Sequence, residues 1–363
     1  MSSSQEINRS CELDVVRCVA NYMIVFLHAW AAFQYVQWDT VEFWSWTFIC
    51  SHLCGLAMPT FFMISGYLLF QHYCLMKWPK KIQRRVRRLV VPYLVWNSLF
   101  VVFYLSLSRI VPRLGTRVST FGLDSFSGAL SKIASFVEGP IDGPLWFLRA
   151  IFYFAVLSPI FYGLVRVVTW WGVLAGALIW LVAESMLGLA NALHLTIPAY
   201  ALVCFLAGGA LANRGESLVQ FFRNPIWAIV GVAACVCRAA ILMPTAMTGE
   251  SHTVMANIAV SLCLVLEAPV LLWCANLMPS ERIARSSLYG FFKQMSFFAY
   301  AGHFLFCSMW LHVCAPLASG MKIGKMTLLI SIFVVGGVGT MALVYTIMRR
   351  FLPRTTKMFD GTL

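Results

Sequence analysis

Residues 13–35, LDVVRCVANYMIVFLHAWAAFQY, form an apolar stretch long enough to cross a bilayer as a helix, yet they contain Asp14, Arg17, Asn21 and His28. At 100° per residue, Arg17 and His28 fall about 20° apart on the helix surface and about 16 Å apart along its axis. Asp14 falls at about 60° from Arg17, Asn21 at about 40° and Tyr35 near 0°. The polar groups therefore make one narrow stripe. Ionised side chains at the centre of a membrane helix cost about 2.5–3.5 kcal/mol each. Asp14 and Arg17 stand near an end, where snorkelling lowers that cost, but His28 is deeper. Such a stripe has to face a bundle interior or a water-filled cavity. Two readings fit: a structural polar seam between helices, or a reaction centre with His28 as the titrating group.

The rest of the chain has the composition of a polytopic membrane protein. Of 363 residues, 60% are hydrophobic and 11% charged, and no polar tract is long enough for a soluble domain. The reading is all-α, with about ten transmembrane helices around a polar central cavity. The spans are approximately 13–35, 44–70, 89–108, 144–164, 168–188, 197–212, 226–243, 256–276, 294–315 and 326–348, in a single domain over 1–363. No internal repeat is evident, so an inverted-repeat transporter gains no support. The net charge of +13 follows topology rather than nucleic-acid binding: eighteen lysines and arginines fall on one side of the ten-span arrangement and six on the other. By the positive-inside rule both termini are cytoplasmic. The 12 cysteines include no C-x-x-C pair and most lie in apolar spans, so no disulfide framework and no metal site are expected.

Other features fall at the ends of spans. In MPTFFMISGYLLF, Pro59 and Gly66 loosen the helix or let a neighbour approach closely, and Ser65 matches the depth of Arg17. His52 lies near the depth of His28 and reads as a packing histidine more readily than as a cavity group. Seven basic residues occupy 77–88, without an acid among them. They anchor topology and attract anionic lipid. Arg84, Arg85, Arg87 and Arg88 also form a guanidinium cluster suited to phosphate. The 109–143 connection contains an amphipathic stretch, FSGALSKIASFVEG, placed at the interface. Arg149 stands one turn inside its span, either snorkelling outward or pointing inward. Glu184 and Glu267 are intramembrane carboxylates, either of which can pair with Arg238. Ser296, Tyr300 and His303 at i, i+4 and i+7 make another polar face, with His303 in a supporting role.

In order along the chain, LDVVR followed by FLH, FFMISGYLLF, RRVRRLVVPYLVW, PLWFL and FFAYAGHFLF resemble the motifs of the membrane acyltransferase-3 family, the integral-membrane O- and N-acyltransferases of cell-surface carbohydrates. The resemblance covers most of the chain. It implies an acyl donor, usually acetyl-CoA, taken from the cytoplasm, and a hydroxyl or less often an amine of a glycan or lipid-linked sugar precursor as acceptor. It implies that Arg17 and His28 are required for activity and that Arg84, Arg85, Arg87 and Arg88 form the donor-binding loop, with Ser65 and Trp146 in the motifs beside it. A multi-pass protein of a bacterial inner membrane is the expected setting.

Chemically, His28 suits a general base that deprotonates the acceptor hydroxyl, since an unperturbed imidazole titrates near pH 6.5. Arg17 would hold donor charge or the developing oxyanion, oriented by Asp14 and Asn21. In a second version His28 carries the acyl group transiently. The competing class is a proton-coupled transporter or exporter of a polar or lipid-linked solute, with His28 as proton relay.

Overall fold

A computed structural model describes residues 3–33, 40–110, 123, 125–134, 140–167, 170–187, 197–248, 253–318 and 325–362. Tyr35, expected at the far end of the polar stripe, lies outside them.

The described residues are almost entirely helical. The chain begins with α1 (Ser3–Phe33) and α2 (Thr40–Thr47), then passes through a π turn, Phe48–Leu53, and a 3-10 turn, Cys54–Leu56, into α3 (Ala57–Phe70). Next come α4 (Trp78–Arg85), a second π turn (Val86–Val90), α5 (Val91–Ile110) and α6 (Phe126–Ala134). A 3-10 turn at Gly143–Leu145 leads into α7 (Trp146–Val156), α8 (Ser158–Val167), α9 (Trp170–Leu187) and α10 (Ala199–Asn213). The order closes with α11 (Leu218–Phe221), α12 (Ile226–Thr248), α13 (Val254–Glu267), α14 (Pro269–Leu277), α15 (Ser280–Ala284), α16 (Ser287–Ala318), α17 (Lys325–Phe351) and α18 (Pro353–Phe359).

The ten expected spans are helical over most of their described residues. Among the described residues six helical stretches are long and apolar enough to cross a membrane, and seven if a pair bent by 62° counts as one span. That pair is α7 and α8, which the sequence reads as one span, 144–164. The break follows from Pro159, which has no N–H for the Ala155 carbonyl and whose ring disfavours continuing the helix. The freed oxygen finds other donors: Ser158 Oγ at 2.7 Å and Trp78 Nε1 at 3.3 Å. Tyr73 Oη in turn shares a hydrogen bond of 2.9 Å with Ser158 Oγ.

Next to Pro59 in the second span, a hydroxyl ties two helices. Thr60 Oγ1 lies 2.8 Å from the Leu56 carbonyl and 2.9 Å from the Ala268 carbonyl, which joins the Pro59 turn of α3 to the Pro269 turn at the head of α14. The basic segment 77–88, read as a loop, is instead helical and continuous with α5, from Leu75 to Arg109. Pro79 stands in the first turn of α4, where its missing N–H is harmless. Pro92 begins α5, and the wider π turn before it keeps the Arg88 carbonyl from its ring.

Four helix pairings build the bundle: α1 with α16, α3 with α10, α12 with α13, and α16 with α17. The α3–α10 contact is backbone against backbone. A Cβ on Gly66 would run into the Phe205 carbonyl oxygen, and one on Gly208 into the carbonyl of Met63. Small residues allow this approach where lipid provides no hydrophobic drive for helices to associate.

A buried ionic knot joins further elements. Arg238 of α12 donates from Nε to Glu267 Oε1 at 2.7 Å and from its Nη2 to Glu267 Oε2 at 2.8 Å. The same guanidinium donates to the His52 carbonyl at 2.9 Å and to His52 Nδ1 at 3.2 Å. Of the two carboxylates open to Arg238 in the sequence, Glu267 is thus the partner. His52 serves this knot.

Two measurements of unfolding in detergent test this architecture. Gly66→Ala and Gly208→Ala should each destabilise the protein by about 1–3 kcal/mol, the usual cost of overpacking, whereas Gly163→Ala, with open space around it, should not. Glu267→Ala, which strands a buried guanidinium, should cost about 3–5 kcal/mol, and the double variant Glu267→Leu with Arg238→Met should recover much of it.

Candidate active site

Two helical faces meet along the α1–α16 contact. Asp14, Arg17 and Asn21 recur on α1 at i, i+3 and i+7, and Lys293, Ser296 and Tyr300 recur on α16 at the same spacing, so each set lies on one face. Their pairings hold the helices together. Lys293 Nζ lies 2.7 Å from Asp14 Oδ2, while Arg17 lies 3.7 Å from the other carboxylate oxygen. Deeper in, Asn21 Nδ2 donates to the Ser296 carbonyl at 2.6 Å and Tyr22 Oη to the Phe292 carbonyl at 3.1 Å.

Between these faces and the helices opposite lies a cavity of about 400 Å³. Its polar lining comes from Asp14, Arg17, Asn21, Ser65, Arg85, Lys293, Ser296 and Tyr300, and its apolar lining includes Phe61, Phe147 and Phe297. Three cations face a single carboxylate, so the hollow has the electrostatics of an anion site. Arg17 and Lys293 are about half exposed at its mouth, whereas Asn21 and Tyr300, at 4% and 5%, close its inner end.

Past that end stands a pair of histidines. His28 is seven residues beyond Asn21, about 10 Å further along the axis of α1. Its ring centroid is 5.1 Å from that of His303, with the planes inclined at 36°. Phe304 meets His28 edge-on at 6.2 Å and stacks on Phe100. His303 is fully buried. Its Nδ1–H donates to the Tyr300 carbonyl at 2.6 Å, because a carbonyl can only accept. That bond fixes the tautomer and leaves Nε2 as the basic nitrogen, with no hydrogen-bond partner among the described residues. Tyr300 links the two regions: its ring lines the cavity, its carbonyl orients His303, and its hydroxyl donates to the Pro144 carbonyl.

The residues expected at the site are only partly gathered here. Arg17, Asp14, Asn21 and Ser65 line the cavity. His28 does not line it but lies beyond its inner end, half-buried, beside His303. The arginine cluster is divided because its segment is helical and successive residues point about 100° apart. Arg85 enters the cavity, while Arg84 and Arg87 join Lys80 and Gln83 around a separate recess of about 210 Å³. Arg88 is exposed, and its carbonyl packs against Gly361, which has a φ of +68°. Trp146 does not reach the cavity: it packs on Phe62, and its neighbour Phe147 takes the lining position. Arg149, for which the sequence leaves two directions open, is 1% exposed and within electrostatic reach of Tyr93 and Tyr153.

Lys293 is the lining residue that the sequence reading passes over, as it was counted with the basic residues outside the spans. Extending the Ser296–Tyr300–His303 face back by three residues reaches it. Asp142 carries no such signal. It is fully buried, its N–H is held by Asn97 Oδ1 at 3.1 Å, and neither carboxylate oxygen has a partner among the described residues.

Comparison with known proteins adds an independent line. The acyltransferase-3 family, described as an acyltransferase domain, matches residues 12–349. The succinoglycan biosynthesis protein ExoH of Rhizobium meliloti (strain 1021) is 27% identical over 164 residues, which are 43% of this chain and 43% of that protein. The match thus spans less than half of the relative's length. No solved structure matches the chain.

The division of the arginines makes a prediction that needs no knowledge of the substrate. Arg85→Gln should weaken binding of inorganic pyrophosphate, read by calorimetry, by about 10- to 100-fold, the worth of a charge-assisted hydrogen bond of roughly 1.5–3 kcal/mol. Arg84→Gln should leave the affinity of the cavity within about twofold.

Proposed function

This chain belongs to the membrane acyltransferase-3 family, and on that premise we propose that it transfers an acetyl group from acetyl-CoA to a hydroxyl of a cell-surface polysaccharide or its lipid-linked precursor. The observation that carries this reading is the cationic cavity with two paired imidazoles beyond its inner end. The relative's role in succinoglycan biosynthesis supports a polysaccharide acceptor. Taken over ten spans, the positive-inside count puts both termini in the cytoplasm on this reading, with a bacterial inner membrane as the proposed setting.

Arg17, Arg85 and Lys293 hold the phosphates of the donor, and Asp14 keeps Lys293 and Arg17 in place. The phenylalanines of the cavity wall exclude water from the thioester arm. His28 takes the proton of the acceptor hydroxyl as that oxygen bonds to the thioester carbonyl carbon. The carbon–sulfur bond then breaks, and the imidazolium returns its proton to the departing thiolate. His303, locked by its bond to the Tyr300 carbonyl, orients His28 through the adjacent ring face. Two imidazolium rings this close would repel, which keeps the pair from holding two protons and leaves a base available. A positioned base of this kind contributes about 10²–10⁴-fold to rate.

A proton-coupled exporter would use the same histidines as a relay. Family membership favours transfer, and consumption of acetyl-CoA by the purified protein separates the two. His28→Ala should lower kcat for acetyl transfer by at least about 10²-fold with the donor Kd unchanged. His303→Ala should lower kcat less and broaden its pH profile. Near-normal turnover by His28→Ala would remove it as the base.

A further inference from the structure

The segment that follows α17 folds back onto the bundle. α17 stops at Phe351, and Leu352 has a φ of −131°, outside the helical range. Pro353, whose missing N–H is harmless in a first turn, then starts α18, which packs against α5. The residues after α18 are held as well. Asp360 N–H donates to the Thr356 carbonyl at 2.9 Å, Thr362 Oγ1 donates to Asp360 Oδ1 at 2.6 Å, and Gly361 takes a φ of +68°, which favours glycine. A peripheral segment keeps one position only where it is tied down.

Two of its residues reach α5 and α16 together. Trp96 of α5 is buried, and its Nε1–H donates to the Phe359 carbonyl at 3.1 Å. The Phe359 ring meets the same indole edge-on at 5.2 Å, and Phe298 of α16 meets it at 5.1 Å. The other end of the indole lies on the α16 backbone: a Cβ on Gly302, the residue before His303, would run into Trp96 Cη2. Gly361 makes the second contact. A Cβ there would stand 2.9 Å from the Arg88 carbonyl oxygen and 3.4 Å from Phe297 Cζ. Phe297 is part of the cavity wall, and Arg88 follows Arg85 by three residues on one continuous helix.

We infer that residues 353–361 form a strap that positions the active site, with Trp96, Phe359 and Gly361 as positioning residues that act through other groups. At Gly361 the strap fixes the rotation of the basic helix against Phe297, and so the direction in which Arg85 enters the cavity. At Phe359 it fixes Trp96 and, through Gly302, the height of His303 beside His28. A buried indole N–H needs an acceptor, and the Phe359 carbonyl supplies it, so Trp96 has one settled position only while the strap is in place. The stack of Phe100 on Phe304 also joins α5 to α16, but it carries no directional bond. The inference rests on the acyl-transfer reading for what the two ends of the site do, and not for the contacts that join them.

The test follows the full-length protein in detergent by pyrophosphate affinity from calorimetry, kcat for acetyl transfer at saturating donor, and the unfolding midpoint. Gly361→Ala, which sets a Cβ against the Arg88 carbonyl at a left-handed φ, should weaken pyrophosphate binding about three- to tenfold, and in an Arg85→Gln background the same change should add less than about twofold, because the group it displaces is gone. Trp96→Phe, which keeps a ring but removes the N–H, should lower kcat about tenfold and leave pyrophosphate affinity unchanged. Lys357→Ala, exposed on α18, should change neither. Additive effects of Gly361→Ala and Arg85→Gln, or parallel losses of binding, kcat and unfolding midpoint in both strap variants, would overturn the inference and make the segment a structural support only. Wild-type values for both variants would overturn it as well. If the unaltered protein consumes no acetyl-CoA while Gly361 and Arg85 remain coupled, the acyl-transfer reading fails and the strap stands at its Arg85 end.

Discussion

Asp14, Asn21 and Tyr22 of α1 are held against α16, and the candidate site depends on that seam. In hydrocarbon an unsatisfied amide or carboxylate costs several kcal/mol, so Asn21, Tyr22 and Asp14 fix how far α1 can rotate. Once Asn21 reaches the Ser296 carbonyl and Asp14 reaches Lys293, the same helix faces carry Arg17 into the cavity and bring His28 against His303. The polar seam and the histidine pair, alternatives in the sequence, are two parts of one contact. The upper pairs hold the helices together, and the deeper rings are positioned by them.

The opposite wall is built by a different device. α3 carries Ser65 and Phe61 into the cavity only because its other face lies directly on α10 through Gly66 and Gly208. Thr60 then ties the Pro59 turn to α14, and the Arg238–Glu267–His52 knot ties the π turn before α3 to α12 and α13. At the Pro159 break the freed Ala155 carbonyl is answered by Ser158 and by Trp78 of another helix. The irregular turns are therefore points of attachment between helices, not weak points in single ones.

Charge is divided between two recesses within a short distance. Arg85 belongs to the cavity, and Arg84 and Arg87 to an outer recess, although the three lie within four residues of one another. A run of arginines in a loop would act as one diffuse cation. Set on a helix, it becomes two sites pointing in different directions. The family match extends over almost the whole chain, so the acyltransferase assignment concerns this entire bundle rather than a fragment of it.

The sequence by itself determined the helical class, the inward turn of the α1 stripe and the identity of most of the polar residues that line the cavity. Those follow from local rules: apolar length, a period of 3.6 residues and the cost of charge in lipid. Ser296, Tyr300 and His303 were legible as a face for the same reason. What only the tertiary structure decided was which polar face meets which. The pairing of His28 with His303, Glu267 rather than Glu184 for Arg238, Phe147 rather than Trp146 on the cavity wall, and the recruitment of Lys293 all join residues distant in the chain. Periodicity fixes the direction of a side chain about its own helix axis, but the rotation and depth of one helix against another are set by packing and hydrogen-bond satisfaction across the whole bundle.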